Sequence, residues 1–132
     1  MAGDGPQGTR PAWCLMLQHA TLELRRDQLD ACVAFYGLLG FARVQPPPAL
    51  ADRAAWLQHG ATQIHLMWVE DPVIPPRGHV AVVVDDYDTA FAALTEAGHE
   101  PERRAEHWGS PRAFVRDPAG ALVEMMAFAP RT

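Results

Sequence analysis

The segment WLQHGATQIHLM, residues 56–67, recurs further along the chain as FVRDPAGALVEMM, residues 114–126. Each copy is an apolar run, a turn containing glycine and a second apolar run, which is the pattern of two strands joined in a hairpin. Aligning the copies places His65 opposite Glu124. A lone histidine in an apolar strand is most often a packed or a surface residue. The repeat, not His65 by itself, is therefore what points to a functional site.

The same order of elements extends outward from both hairpins. An opening strand is predicted at 13–24 and again at 79–84, and apolar residues at helical spacing follow each one. The helices are predicted at 26–41 and 85–100, and Gly40 and Gly98 lie where a C-terminal cap is expected. Three shorter strands complete each half, near 41–45, 53–58 and 62–69 in the first and near 100–104, 112–116 and 121–128 in the second.

An internal duplication explains this order. It predicts a single α+β domain over residues 13–130, made of one module at 13–70 and a second at 77–128. Residues 1–12 are polar and rich in glycine and proline, and are expected to be a flexible leader.

Composition narrows the class of protein. The chain has 132 residues, 48% of them hydrophobic and 20% charged, which is typical of one globular domain. The formal charge is −5 and the basic residues form no cluster, which argues against nucleic acid or an anionic membrane as the main partner. No apolar run reaches the roughly 18 residues of a membrane span, and no signal-peptide core is present, so a cytoplasmic location is expected. Cys14 and Cys32 are expected to be buried free thiols.

Arginine supplies all 11 basic residues and lysine supplies none. Together with the abundance of alanine and proline, this indicates a GC-rich bacterial genome.

Four side chains of the kinds that bind metals occupy matched positions of the two halves. His79 follows His19 by 60 residues, and Glu124 follows His65 by 59. Neither module can bury its sheet alone, so the modules are expected to pack with their sheets side by side around a shared concave surface. Three imidazoles and a carboxylate there suit a divalent ion such as Zn, Ni, Co, Mn or Fe(II). Burying Glu124 without a cation would be costly.

These residues resemble the vicinal oxygen chelate superfamily, which includes glyoxalase I, methylmalonyl-CoA epimerase, extradiol dioxygenases and bleomycin-binding proteins. Nearly the whole chain, from about residue 13 to 128, carries the resemblance. The matching segments are LQHATLEL, LDACVAFYGLLGF, TQIHLMW, GHVAVVVDDYDTAFAALTEAG and FVRDPAGALVEMMAF. The resemblance implies paired βαβββ modules that form a half-open, barrel-like sheet, and a homodimer that covers the open sheet edges.

The resemblance also implies a metal site and a chemistry. His19, His79 and Glu124 match the ligand positions shared by most metal-dependent members, and His65 falls where glyoxalases and epimerases carry a fourth ligand, usually Glu or Gln. The implied activity is that of a lyase or isomerase of the glyoxalase I type, in which a Lewis-acid metal stabilises an enediolate on a small vicinal-oxygen substrate. Glu124, which could leave the metal to act as a base, and His65 are the implied catalytic residues.

Side chains two residues from a ligand share its face of the strand, which predicts the substrate pocket. The pocket is expected to be mainly apolar, with Trp56, Trp68 and Trp108 at its rim and no arginine cluster. The predicted substrate-binding residues are Thr21, Glu23, Gln63, Met67, Val83, His107, Trp108, Met126 and Phe128.

Two other functions stay open. An extradiol Fe(II) dioxygenase would carry a histidine, then a tyrosine, then D-P-x-G and a glutamate; the chain has His107, Phe114, RDPAG and Glu124, so the tyrosine is missing. A drug-binding protein of the bleomycin-resistance kind would need no metal. Whether the four ligands come from one chain or are shared across a dimer is also left open by the sequence.

Overall fold

A computed structural model describes residues 15–131, so the expected leader and Cys14 lie outside the described residues. The described chain folds into two βαβββ modules, and the predicted α+β fold class is confirmed. The first module consists of β1 (His19–Leu24), α1 (Leu29–Leu38), β2 (Ala42–Val44), β3 (Ala54–His59) and β4 (Thr62–Trp68). The second consists of β5 (His79–Val83), α2 (Tyr87–Glu96), β6 (Glu102–Arg103), β7 (Arg112–Arg116) and β8 (Leu122–Met126).

The two sheets have the same topology and the same register. Their strand orders are β1-β4-β3-β2 and β5-β8-β7-β6, with the opening strand of each module parallel to its last strand. Thr21 pairs with His65 across the first parallel pair, and Ala81 pairs with Glu124 across the second. The duplication deduced from sequence spacing is therefore confirmed at the level of individual strand partners.

Both helices end in the same way. Gly40 and Gly98 adopt positive φ angles of +107° and +94°, which L-residues rarely adopt. The amide after each glycine then bonds back to the helix, from Phe41 to the carbonyl of Tyr36 at 3.0 Å and from His99 to that of Leu94 at 2.9 Å. These six-to-one bonds are Schellman caps, as the two glycines predicted.

The first strand is shorter than its apolar pattern predicted. β1 begins at His19 instead of residue 13, and the Leu15 and Leu17 side chains are 91% and 82% exposed. Its parallel neighbour supplies no ladder partner before Gln63, which lies opposite His19. An apolar run forms a strand only where another strand lies beside it. Both helices are also shorter than predicted, and a 3₁₀ turn at Arg26–Gln28 precedes α1.

The helices cover one face of each sheet and leave the other face open. Phe35 and Tyr36 of α1 and Leu94 of α2 are fully buried against strand residues such as Ile64 and Val123. On the uncovered side, the outward residues of the opening strands are exposed: His19 and Thr21 of β1, and His79, Ala81 and Val83 of β5. No helix within residues 15–131 is long and apolar enough to cross a membrane.

Side chains near the helices join the modules. Tyr36 bonds to Asp117, His59 contacts Asp85 at 3.0 Å, and His99 packs edge-on against Phe35. Within the described chain, no strand of one sheet is hydrogen-bonded to a strand of the other. The contact between the modules therefore runs through the helices and connecting turns.

Candidate functional site

On the open face of the first sheet, His65 lies in a stack of three rings. Its ring is parallel to that of Trp56, with centroids 4.1 Å apart, and nearly parallel to that of His19, at 4.0 Å and 18°. Trp56 is the direct partner of His65 across the β3–β4 pair, so the strand register itself creates this stack. The stack leaves His65 only 8% exposed although it lies on the open face.

Hydrogen bonds orient both imidazoles. The Gln63 amide donates to Gln58 at 2.7 Å, which leaves its oxygen to accept from Nε2 of His65 at 2.8 Å. His19 donates from Nδ1 to the side-chain oxygen of Gln18 at 2.7 Å. The uncommitted lone pairs are therefore Nδ1 of His65 and Nε2 of His19. Burial, followed by the proximity of His19, lowers the pKa of His65 and favours its neutral form.

The ring stack borders a cavity of about 530 Å³. A volume of this order is typical of small-molecule pockets. The residues that line it come from β1 and the residue before it, from β3 and the turn before it, and from β4: Gln18, His19, Thr21, Leu50, Arg53, Ala54, Trp56, Gln63, His65 and Met67.

On the second sheet, His79 faces Glu124. Nδ1 of His79 lies 3.0 Å from the Arg77 carbonyl oxygen, to which it donates, and Nε2 lies 3.2 Å from Oε1 of Glu124. With a neutral imidazole, both Nε2 and Oε1 are acceptors, so a proton or a cation must lie between them. Two ligand atoms that each lie about 2.1 Å from one metal ion, with an angle of about 90–109° at the ion, are about 3.0–3.4 Å apart. The His79–Glu124 pair therefore has the spacing of adjacent metal ligands.

The other oxygen of Glu124 is held by Arg112. Nε of Arg112 donates to Oε2 at 2.7 Å, and Nη1 donates to the Ala105 carbonyl at 2.7 Å. The Arg112 and Glu124 side chains are only 12% and 9% exposed. Burial of Glu124 was expected to need a metal ion, but Arg112 already supplies a cation. The burial of Glu124 therefore does not by itself predict a metal ion.

The structure brings the four predicted ligands together as two pairs. Within residues 15–131, no three His, Cys, Asp or Glu side chains are close enough to hold a common ion. The sequence left open whether all four come from one chain or are shared across a dimer, and the described chain does not bring them around one concave surface. The reason is that the open edges of β1 and β5 are not joined to each other.

The chemistry of the donors suits a divalent ion, with one adjustment in the first pair. Three imidazoles and one carboxylate are borderline and hard ligands of the kind that Zn and Fe(II) sites use. The lone pairs of nearly parallel rings do not converge, so His19 or His65 must turn out of the stack before both bind one ion.

The predicted substrate-binding residues are spread over several surfaces. Thr21, Gln63 and Met67 line the cavity beside the histidine stack. Two of the others make hydrogen bonds: Glu23 accepts from the Val73 amide, and Trp108 donates from Nε1 to the Phe128 carbonyl at 2.8 Å. The remaining four differ in exposure: Val83 and Phe128 are 49% and 42% exposed, His107 is exposed and Met126 is buried.

One of the predicted rim residues lies elsewhere. Trp56 lines the cavity and stacks on His65, whereas Trp68 lies under the Arg26 guanidinium, beside a different cavity. Arg112 was not assigned to the site at all. Its signal was available in the hairpin register: Phe114 pairs with Glu124, and Arg112 lies two residues earlier on the same face.

Comparisons with known proteins agree with this architecture. The family model described as Glyoxalase/Bleomycin resistance protein/Dioxygenase superfamily matches residues 17–125. No curated protein matches the chain at a significant level.

Three solved structures illustrate the range of similar folds. A glyoxalase family protein from Bacillus anthracis is 24% identical, with a TM-score of 0.78 over 89% of this chain and 98% of that one. A lactoylglutathione lyase from Agrobacterium tumefaciens is 23% identical, with a TM-score of 0.61 over 89% and 95%. A bleomycin resistance determinant encoded on transposon Tn5 is 20% identical, with a TM-score of 0.58 over 81% and 94%. Identities this low establish the fold alone.

Proposed function

The chain belongs to the glyoxalase/bleomycin resistance protein/dioxygenase superfamily, and on that premise we propose that it is a metal-dependent lyase or isomerase acting on a small molecule with two adjacent oxygens. The metal site is shared in a homodimer: His19 and His65 of one protomer face His79 and Glu124 of the other. The observation that carries this proposal is the His79–Glu124 pair, in which Nε2 and Oε1 lie 3.2 Å apart, the spacing of two ligands of one ion.

The open face supports a second copy of the chain as the partner. Within residues 15–131, β1 and β5 are edge strands, with backbone groups free on one side. Apolar side chains are exposed nearby, namely Leu17 before β1, Val83 on β5 and Phe128 after β8. A two-fold arrangement that sets β1 beside the partner's β5 pairs both edges and covers these side chains.

In this site the ligands and the catalytic base are different residues. His19, His79 and Glu124 are the core ligands, and a bound divalent ion supplies Lewis-acid polarisation of a carbonyl beside the reacting C–H bond. Both carboxylate oxygens of Glu124 already have partners, Oε2 in the Arg112 hydrogen bond and Oε1 opposite His79, so neither is free to take a proton from the substrate. His65 is neutral and has an uncommitted Nδ1, so the role of base falls to His65.

Complementation between two inactive variants tests the shared site. One chain carries His19→Ala and His65→Ala, and the other carries His79→Ala and Glu124→Gln. Random mixing gives half heterodimers, each with one intact site of two, so metal content is expected to recover to about a quarter of wild type. Elemental analysis of the full-length protein before and after unfolding and refolding the mixture measures this.

The same experiment can refute the proposal. If the mixture stays metal-free while the wild-type protein binds one ion per chain, the ligands are not shared. If His65→Ala alone keeps its metal but loses turnover of hemithioacetals, His65 is the base. Loss of both together would instead make it the fourth ligand.

A metal-free binding protein is the second candidate, and two observations favour it. Arg112 already compensates the charge of Glu124, and the cavity of about 530 Å³ beside Trp56 and Met67 is suited to a planar ligand. Wild-type protein purified without chelators, lacking a divalent ion and unable to take one up, would favour this function.

Extradiol ring cleavage is less well supported. Phe114, at the position where that signature expects tyrosine, packs edge-on against His79 with centroids 4.9 Å apart. A phenyl ring has no hydroxyl to donate to a bound substrate. A turnover screen over catechols tests this alternative.

A further inference from the structure

We propose that Arg112 is an internal cation that competes with a divalent metal ion for Glu124 and thereby sets the metal affinity of the site. This inference rests on the proposed function in one respect, the placement of a metal ion at Glu124. It concerns the chain's own guanidinium, which binds one carboxylate oxygen while the other oxygen faces His79.

Arg112 is fixed by more than its ion pair. Its Nη1 donates to the Ala105 carbonyl at 2.7 Å, and its guanidinium lies 5.6 Å from the Trp108 ring centroid and 5.3 Å from that of Phe114. Cation–π contact and hydrogen bonding both hold the positive charge beside Glu124. A divalent ion that binds Oε1 must therefore share one carboxylate with a largely buried guanidinium.

Two opposing effects follow from this contact. The Arg112 hydrogen bond orients the carboxylate, and loss of such an outer partner lowers metal affinity by about 10- to 100-fold. The guanidinium also repels the ion: charges of +1 and +2 about 6 Å apart, at an effective dielectric constant of about 20, weaken binding by a factor on the order of 10⁴. The loss of metal affinity from repulsion therefore exceeds the gain in affinity from orienting the carboxylate, even after the site relaxes.

Substitution by glutamine separates the two effects. Arg112→Gln keeps a side-chain amide that can donate to Glu124 but removes the positive charge. Arg112→Lys keeps the charge but changes the geometry. Arg116→Gln is the matched control, because Arg116 lies on the same strand and face and donates to the Gly120 carbonyl at 3.0 Å.

The experiment titrates Co²⁺ into chelator-treated full-length protein at constant pH and ionic strength. Calorimetry gives the dissociation constant, and visible absorption of the bound Co²⁺ gives the stoichiometry. We expect Arg112→Gln to bind Co²⁺ at least about tenfold more tightly than wild type, and Arg116→Gln to stay within about threefold of wild type. Arg112→Lys keeps the repelling charge and loses the orienting geometry, so it should bind Co²⁺ no more tightly than wild type.

The outcomes separate this inference from the proposed function. Binding by wild type together with equal or weaker binding by Arg112→Gln overturns the inference and leaves the metal site standing. Binding by Arg112→Gln alone supports the inference and refutes a resident metal in the wild-type protein. If neither protein binds Co²⁺, both are wrong.

Folding gives a second measure, because Arg112→Gln leaves Glu124 without its cation. Thermal unfolding with increasing Co²⁺ should then show a larger stabilisation of Arg112→Gln than of wild type. A variant that stays unfolded at every Co²⁺ concentration contradicts the proposal, since the ion then does not replace the guanidinium.

Discussion

The hydroxyl of Tyr36 donates a 2.7 Å hydrogen bond to Oδ2 of Asp117, a residue 81 positions further along the chain. Oδ1 of Asp117 accepts from the amides of Ala119 and Ala121, at 2.8 and 3.0 Å. The contact fastens helix α1 of the first module to the β7–β8 turn of the second, and both side chains are buried.

Tyr36→Phe is therefore expected to lower the free energy of unfolding by about 1–3 kcal/mol, because one oxygen of a buried carboxylate loses its partner. Tyr87→Phe is the control: within residues 15–131 the buried Tyr87 hydroxyl has no hydrogen-bond partner, so its loss should change stability by less than about 0.5 kcal/mol. Urea unfolding measures both. Equal effects of the two substitutions would refute the role given to Asp117.

Cys32 is expected to resist thiol reagents in the folded protein. Burial, together with the nearby negative charge of Asp117, raises the pKa of its thiol to about 12. The reactive thiolate is therefore almost absent at pH 8. Alkylation followed by peptide mass spectrometry should show Cys32 modified at least about 100-fold faster in denaturant than in the native state.

The raised pKa of Cys32 also predicts that the folded protein loses stability at alkaline pH. The unfolded thiol ionises near 9 while the folded thiol stays protonated to about 12. Between these values the unfolded state has released a proton that the folded state retains, so stability falls as pH rises. Cys32→Ala should show a smaller decrease over that range, which denaturant titrations at several pH values can measure.

His65 should titrate below the ordinary histidine range. Its pKa is lowered by burial first and by His19 second. Nuclear magnetic resonance of the ring protons is expected to give a midpoint below 6.5, and His19→Ala should move that midpoint part of the way back up. A wild-type midpoint at or above 6.5 would contradict the stacked arrangement.

The lowered pKa of His65 predicts that the folded protein loses stability at acidic pH. Below pH 6.5 the unfolded imidazole takes up a proton before the folded one does. The stability contributed by neutral His65 is therefore present above 6.5 and is lost as the pH falls through the lower folded value.

The two helix-capping glycines form a matched pair for substitution. The Cβ of an alanine at position 98 would have no atom of a non-adjacent residue within 4 Å. Gly98→Ala should therefore lower the free energy of unfolding only through its positive φ, by about 1–2 kcal/mol. Alanine at Gly40 would in addition place its Cβ 3.1 Å from Cδ2 of His59, a ring held by Asp85. Thermal unfolding should therefore show a larger loss for Gly40→Ala than for Gly98→Ala, and the reverse order would contradict this packing.

The repeat was predictable because hairpin and helix signals are local. Glycines after helical spacing gave the caps, and matching of the two hairpins gave the equivalence of His65 and Glu124 that the strand register confirms. The start of β1 was not predictable in this way. Leu15 and Leu17 look like strand residues, but whether a strand forms depends on a neighbour about 45 residues away.

The candidate site was predictable by residue type and less so by arrangement. Four ligand-type side chains could be named from their spacing, yet their division into two pairs depends on how the two sheets are placed. The partners of those side chains were missed for a similar reason. Trp56 lies on the strand next to that of His65, and Arg112 lies on the strand next to that of Glu124. Only the strand pairing brings each of them to its partner.

The sequence by itself determined two βαβββ modules and the face on which the four ligand-type residues lie, because strand and helix periodicity and capping act over a few residues. Only the tertiary structure decided the neighbours of those residues. The ring stack on His65 and the Arg112–Glu124 ion pair are contacts between strands, and they depend on strand register. Charge compensation of Glu124 is the clearest case: sequence reasoning assigned it to a metal ion, and folding places a guanidinium 2.7 Å away.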